Sequence, residues 1–299
     1  MSVILDTVNQ NNKADQINNA YKADVAAFIL FYEKLNQTIE CIQSVLSSGI
    51  SIYILNNGST ASSVNALKKY CKKYDSITIF DSDKNLGVAG GRNFLLNHAR
   101  EEWLLFLDND IKIKTLDWFE KFLKHVDQHS DVEVFIPKLF SLPENMYCIN
   151  RSLTIVKSVV ARRGEIQNNI VNVFPGGASI IRTSVFRRLG FYDDKMFVGF
   201  EDYELCIRGI LTDSPVKAMI IDDIEFIHEH KKFSKKSDIE AVQIRYDYKE
   251  MAKSALRIKE KHNLTIDEGD IKSWSEGQIN LMTWENTWER IINFLKCRH

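Results

Sequence analysis

Trp103-Leu104-Leu105-Phe106-Leu107-Asp108-Asn109-Asp110: an unbroken apolar run ends on two carboxylates one residue apart. Such a run suits a strand buried on both faces, as in a parallel sheet flanked by helices. Val25 to Phe31 is a second run of this kind, residues 50–55 a third, closed by Asn56-Asn57-Gly58-Ser59, and residues 77–80 a short fourth. Between the strands, Leu35, Ile39, Ile42 and Val45 repeat at helical spacing, as do Val64, Leu67, Cys71 and Tyr74, with Ser59 and Thr60 placed to cap the second helix. Repeated strand–helix–strand units predict an α/β fold: a doubly wound, Rossmann-like, mostly parallel central sheet. Ligands then bind beyond the carboxyl ends of the strands, where Asn56 and Asp108 fall.

Downstream, residues 116–129 read as a helix and 132–136 as a strand closed by Pro137. Residues 139–172 read as a small hairpin insertion, with a strand-like piece at 153–160 and a basic turn at Arg162-Arg163-Gly164. Phe174-Pro175-Gly176-Gly177-Ala178-Ser179 is a tight turn before an apolar strand and a short helix at 184–189. Glu201 opens another helix, and two late strands, 216–221 and 224–227, run to His228-Glu229-His230. From Lys231 to His262 there are ten Lys or Arg against five Asp or Glu. Ile244, Tyr248, Met251, Ala255 and Ile258 form a helical stripe there. After an acidic break at Asp267, Glu268 and Asp270, Leu281, Trp284, Trp288, Ile291 and Leu295 form a second stripe.

Composition narrows the function. Thirty-nine Lys plus Arg against forty Asp plus Glu give a net charge of −1 over 299 residues, which argues against a broad basic face for nucleic acid. A hydrophobic content of 44% is that of a globular chain. The five cysteines are scattered, with no C-x-x-C, as expected of reduced thiols in a cytoplasmic protein without structural zinc. The longest apolar stretch is too short to span a bilayer, and the polar N-terminus lacks a secretory pattern.

Four constellations can carry chemistry. Asp108-x-Asp110 at a strand end can share a hard cation such as Mn²⁺ or Mg²⁺, where a solvated acidic turn is the bland alternative. His228-Glu229-His230 can add a nitrogen ligand, with His228 nearer the strand, or be a surface turn. Glu201, Asp202 and Glu204 can complement a helix dipole or supply a general base. The loop Asn85-Leu86-Gly87-Val88-Ala89-Gly90-Gly91-Arg92-Asn93 is not a dinucleotide fingerprint. A glycine-bearing helix start with Arg92 nevertheless suits a diphosphate, and an ordinary loop is equally compatible.

In chain order, Asn56-Asn57-Gly58-Ser59, Asn85-Leu86-Gly87 to Arg92-Asn93, Leu107-Asp108-Asn109-Asp110, Gly176-Gly177-Ala178, Glu201-Asp202-x-Glu204 and His228 resemble glycosyltransferase family 2 over about residues 24–235. The resemblance implies a GT-A fold enzyme that moves a sugar from a nucleotide-diphosphate donor, a UDP- or dTDP-sugar, to a hydroxyl of a glycan, lipid-linked glycan or glycoprotein, with inversion. It implies Mn²⁺ or Mg²⁺ held directly by Asp110 and by His228, with Asp108 nearer the ribose and the metal waters. It gives Asn56 to the base, Arg92 to the nucleotide, and Asn57, Ser59, Asn85, Gly87 and Asn109 to donor binding. Gly177, with Gly176 and Ala178, lines the sugar and acceptor side, and Asp202 is the base with Glu201 as its alternative. The chain departs from the family's D-N-G-S-x-D at Asn56 and Ala61, which lack both carboxylates, although an Asn can still pair with a base edge.

The resulting division is a lead-in at 1–22, a GT-A catalytic domain at 23–234 and a helical C-terminal appendage at 235–299. Rival readings are a retaining transferase, a sugar-phosphate nucleotidyltransferase, disfavoured because Phe31-Tyr32-Glu33-Lys34 has no glycine, and a nucleotide-sugar-binding protein without turnover. The basic C-terminal stripe suits a helix packed on the catalytic domain or on a second copy in a homodimer, in preference to peripheral contact with the inner face of an anionic membrane. No nucleic-acid partner is expected.

Overall fold

The computed structural model describes residues 24–283 apart from 143, 149–151, 165, 167, 267, 268 and 270. The lead-in, the acidic break at Asp267, Glu268 and Asp270, and Trp284, Trp288, Ile291 and Leu295 lie outside the described residues.

Strand β1 (Val25–Phe31) is followed by α1 (Leu35–Leu46), β2 (Ser51–Asn57), α2 (Ala61–Cys71), β3 (Ile77–Ser82), α3 (Gly87–Leu96) and β4 (Trp103–Asp108). β1 pairs in parallel with β2 on one side and β4 on the other, and β3 extends the sheet beyond β2. The period-two alternation of β1 sends Ala27, Ile29 and Phe31 to the face covered by Cys41, Ile42 and Val45 of α1. Ala26 and Phe28 go to the opposite face, against Leu95 and Phe106. Both faces are therefore apolar, which is why the strand carries a continuous apolar run.

The chain continues through β5 (Ile111–Ile113), α4 (Trp118–Gln128), β6 (Val134–Leu142), β7 (Met146–Tyr147), β8 (Ser152–Val156), β9 (Val159–Gly164), β10 (Ile170–Val171) and β11 (Ala178–Arg182). Then come α5 (Thr183–Leu189), α6 (Glu201–Leu211), β12 (Ala218–Glu229), α7 (Lys236–Arg245), α8 (Tyr248–His262), β13 (Thr265–Ile266) and α9 (Ile271–Met282). The main sheet runs β10-β12-β6-β11-β4-β1-β2-β3. β11 is antiparallel to both β4 and β6, and β12 is parallel to β6, so the sheet is mixed but mostly parallel, as expected.

Several local expectations change. β6 runs through Pro137 instead of ending there, because the register of its partner β12 breaks between Ile221 and Glu225, opposite the residue that has no N–H to give. The same break makes the two expected late strands one long strand. The insertion hairpin turns at Lys157 and Ser158, both with positive φ, whereas Arg162-Arg163-Gly164 belongs to β9. Neither Ser59 nor Thr60 caps α2 with its side chain. Ser59 Oγ instead donates to the Phe31 carbonyl and accepts from the Glu33 amide, and Glu33 Oε1 accepts the Thr60 amide at 2.5 Å. The first C-terminal stripe is split between α7 and α8, since Asp247 caps α8 by accepting from the Lys249 and Glu250 amides.

The C-terminal helices pack on the sheet domain, with Ile258 and Leu264 in the same apolar cluster as Leu205 and Leu153. Basic side chains of this region are neutralised by the sheet domain: Lys231, just before the helices, reaches Glu40 at 2.8 Å, Arg257 reaches Asp193 at 3.0 Å, and Lys261 reaches the wholly buried Glu204 at 2.7 Å. Among the described residues no helix is long and apolar enough to cross a membrane.

One contact between distant parts of the chain positions everything that follows. Glu33 and Lys34, just after β1, both have left-handed backbone (φ 55° and 53°), which costs non-glycine residues roughly 1–3 kcal/mol each. The buried Glu33 carboxylate offsets that cost by accepting from Thr60, Ser63, Lys235 and Ser237, and the Lys34 amide donates to Asp238 at 2.9 Å. Burial alone would raise the Glu33 pKa, but Ser63, Thr60 and Lys235 outweigh it and bring it to about 2. The stabilisation is therefore complete above the unfolded value of about 4.3 and fades as pH falls toward about 2. Glu33→Gln is expected to lose on the order of 3 kcal/mol at pH 7. In urea denaturation followed as a function of pH, its gap to the parent should close in acid.

Candidate active site

The carboxyl ends of β1, β2 and β4 open onto a cleft roofed by α7. Tyr32, Lys34, Asn57, Asn85, Asp108 and Asp110 line one wall, and Ala241, Ile244, Arg245 and Tyr246 line another, with His228 between them.

Asp110 is the electrostatic centre. Its carboxylate is 11% exposed and both oxygens face basic side chains: Oδ2 meets Lys34 Nζ at 3.1 Å and Oδ1 meets His228 Nε2 at 3.3 Å. Burial works to raise its pKa, but Lys34 and His228 outweigh burial and hold it well below the usual carboxylate range. Burial likewise works to lower the pKa of His228, and the charge of Asp110 raises it instead. His230 lies behind, with its Nε2 3.1 Å from that of His228, and its pKa is lowered by burial and by the neighbouring ring.

Asp108 is more open, at 36% exposure, and shares Arg92 with Glu201: the buried guanidinium reaches Asp108 Oδ1 at 3.3 Å and Glu201 Oε1 at 3.1 Å. Antiparallel pairing with β11 explains this packing. The Asp108 amide donates to the Gly177 carbonyl, and a Cβ on Gly177 would overlap the Asp108 carboxyl. A Cβ on Gly176 would overlap Arg92 in the same way. Gly177→Ala is therefore expected to cost about 1–3 kcal/mol through this overlap, read as a lower urea midpoint with an unchanged slope.

Asp202 accepts from the Gly176 amide at 3.4 Å and from the Tyr203 amide at 2.8 Å. Burial, followed by the adjacent charge of Glu201 and opposed by Arg92, pushes its pKa up to about 6. Glu201 is nearly fully buried on Arg92, and its second oxygen has no hydrogen-bond partner among the described residues. Neither acid lines the cleft itself; both sit beside it, across Arg92 and Gly176.

Asn57, Asn85, Gly87, Asp108, Asn109, Asp110 and His228 thus meet at the cleft, whereas Asn56, Ser59, Arg92 and Gly177 stand behind it. The Asn56 amide donates to Asp81 at 2.9 Å, and its oxygen accepts the Ser59 amide. Asn57 ties β2 to the start of α3, donating to the Gly87 carbonyl and accepting the Leu86 amide. Asn109 donates to Thr38 Oγ1 at 2.9 Å. Lys34, Arg245 and Tyr246 were missed by sequence reasoning. Lys34 follows an apolar strand directly, a position that signals a ligand end; Arg245 carries no such signal.

Two carboxylates and an imidazole are the right donors for a hard divalent cation. Among the described residues no group of three or more His, Cys, Asp or Glu side chains is arranged to hold a metal ion. Asp110 is engaged by Lys34 and His228 and Asp108 by Arg92, so a cation here would share these side chains with substrate phosphate and water.

The fold and site define a GT-A type α/β protein, and comparison with known proteins agrees. Residues 27–190 match the family model for glycosyl transferase family 2, and the chain belongs to that family. It is 24% identical over 198 residues to the low-salt glycan biosynthesis hexosyltransferase Agl10 of Haloferax volcanii, covering 62% of this chain and 61% of that one. It is 23% identical over 216 residues to the UDP-Gal:alpha-D-GlcNAc-diphosphoundecaprenol beta-1,3-galactosyltransferase of Escherichia coli, covering 71% and 74%. The matches span less than two thirds of several relatives, 14% in the case of an uncharacterized glycosyltransferase of Rickettsia bellii. The mannosyltransferase PcManGT of Pyrobaculum calidifontis, solved with GDP-Man and Mn²⁺, superposes with a TM-score of 0.57 at 14% identity, covering 90% of this chain and 72% of that one.

Proposed function

We propose that this chain transfers a glycosyl group from a nucleotide-diphosphate sugar, a UDP- or dTDP-sugar, to a hydroxyl of a glycan or lipid-linked glycan, with inversion. The observation that carries the reading is Asp110, an ionised carboxylate buried on the cleft wall two residues after Asp108 and against His228. In this reading Asp108, Asp110 and His228 would hold Mn²⁺ or Mg²⁺. When bound, the cation supplies neutralisation of the charge that grows on the diphosphate as the sugar–oxygen bond breaks, worth several kcal/mol. A cytoplasmic setting agrees with the donor class and with the buried free thiols Cys41, Cys71 and Cys206.

Asp202 is the base. Unlike Glu201 it has no ion pair within 4.0 Å among the described residues, and its pKa near 6 lets it take a proton at neutral pH. It removes the acceptor hydroxyl proton as that oxygen bonds to the anomeric carbon; the bond to the diphosphate breaks on the opposite side, and the nucleoside diphosphate leaves. Asn57 and Asn85 fix the turn into α3 and so shape the nucleotide end of the cleft.

Asp110→Asn is expected to lower metal-supported kcat/KM by about 100-fold or more, measured as nucleoside diphosphate release from a donor panel; unchanged turnover overturns the cation assignment. Asp202→Asn should lower kcat by about 10²–10⁴-fold with little change in donor KM. In the parent, the single-turnover rate should climb with pH through about 6, as Asp202 loses its proton, and then level off. A product that keeps the donor's anomeric configuration, seen by NMR, rules out the single displacement.

A further inference from the structure

We propose that Arg245 binds the diphosphate of the donor and holds it as the nucleoside diphosphate departs; the inference rests on the nucleotide-sugar reading of the same cleft. Arg245 is the last residue of α7, outside the region matched by the family model, and it lines the cleft together with Asp108 and Asp110. Among the described residues no carboxylate lies within 4.0 Å of its guanidinium. Burial works against its charge, but Tyr246, Glu201 and Asp108 outweigh burial and raise its pKa, the two carboxylates acting from beyond ion-pair distance while bonded to Arg92. The other cationic side chain on the cleft wall, Lys34, is bound to Asp110. Arg245 is thus the cleft cation that, among the described residues, has no carboxylate in direct contact.

A guanidinium on a cleft wall with no carboxylate in contact is placed to receive an anion entering the cleft. The planar guanidinium presents paired N–H donors that match phosphate oxygens, and its charge persists at any working pH. Its placement is fixed from both ends of α7. At the N-terminal end, Ser237 and Asp238 bond to Glu33 and Lys34. At the other end, the Tyr246 carbonyl accepts from Ser275 Oγ, the Tyr246 ring meets Trp274 edge-on at 5.6 Å, and the Arg245 guanidinium lies 5.5 Å from the Tyr246 ring centre. The latch at Glu33 therefore also aims Arg245.

The test uses the full chain with Mn²⁺ and isothermal titration with UDP, dTDP and GDP, and carries the tightest of them forward beside its parent nucleoside, whose binding is followed by NMR line broadening. Arg245→Met is expected to weaken the nucleoside diphosphate by about 10–100-fold, to leave nucleoside binding and the melting temperature unchanged, and to be partly rescued in Arg245→Lys. Wild-type diphosphate affinity in Arg245→Met overturns the proposal. So does an equal loss for diphosphate and nucleoside, which marks a structural role, or a rise confined to the acceptor KM, which moves Arg245 to the acceptor. A parent protein that binds none of the three nucleotides refutes the nucleotide-sugar reading itself, and the proposal with it.

Discussion

A carboxylate buried at the end of a buried strand persists in its charged form only if counter-charge is built beside it. Asp110 is that carboxylate, and the arrangement around it follows from the need to neutralise it. Lys34 comes from the turn after β1 and His228 from the end of β12, so the two halves of the sheet meet on one side chain. Lys34 reaches it from a turn whose backbone is left-handed at two consecutive non-glycine residues. The turn keeps that shape because Lys235, Ser237 and Asp238, about two hundred residues later in the chain, hold it in place. The C-terminal segment is therefore part of the site and not merely attached to it: it fixes the turn that neutralises Asp110, and the same helix, α7, supplies the roof of the cleft.

Much of this was legible in the sequence, for a definite reason. Apolar runs such as Val25 to Phe31 and residues 103–107 are long enough, and sharply enough ended, that burial on both faces is their ready explanation. What such patterns cannot carry is any bond formed across the chain. Ser59 and Thr60 have the composition of a helix cap, yet Glu33, twenty-six or more residues earlier, takes the donors a cap would have used. Pro137 has the composition of a strand end, and only the register break in a strand some eighty residues later lets β6 pass through it. Lys34 and Arg245 were missed for the same reason. A lysine after a strand and an arginine at a helix end have no periodicity to betray them, and their meaning depends on which charges lie opposite.

The two chemical halves of the site are joined rigidly. The Gly176 amide donates to Asp202, the Gly177 carbonyl accepts from Asp108, and Arg92 spans Asp108 and Glu201. One peptide segment thus connects the acid proposed as base to the strand end proposed to hold the cation. Because β11 is hydrogen-bonded to β4 on one side and β6 on the other, the segment cannot slide to suit a misplaced substrate. Helix α7 packs on the cleft from outside the sheet, its Val242 sharing a separate apolar cluster with Val198, Tyr246 and Met251. The acids thus stand on the sheet frame whereas Arg245 comes from the roof helix, the part of the site for which the apolar strand pattern holds no information.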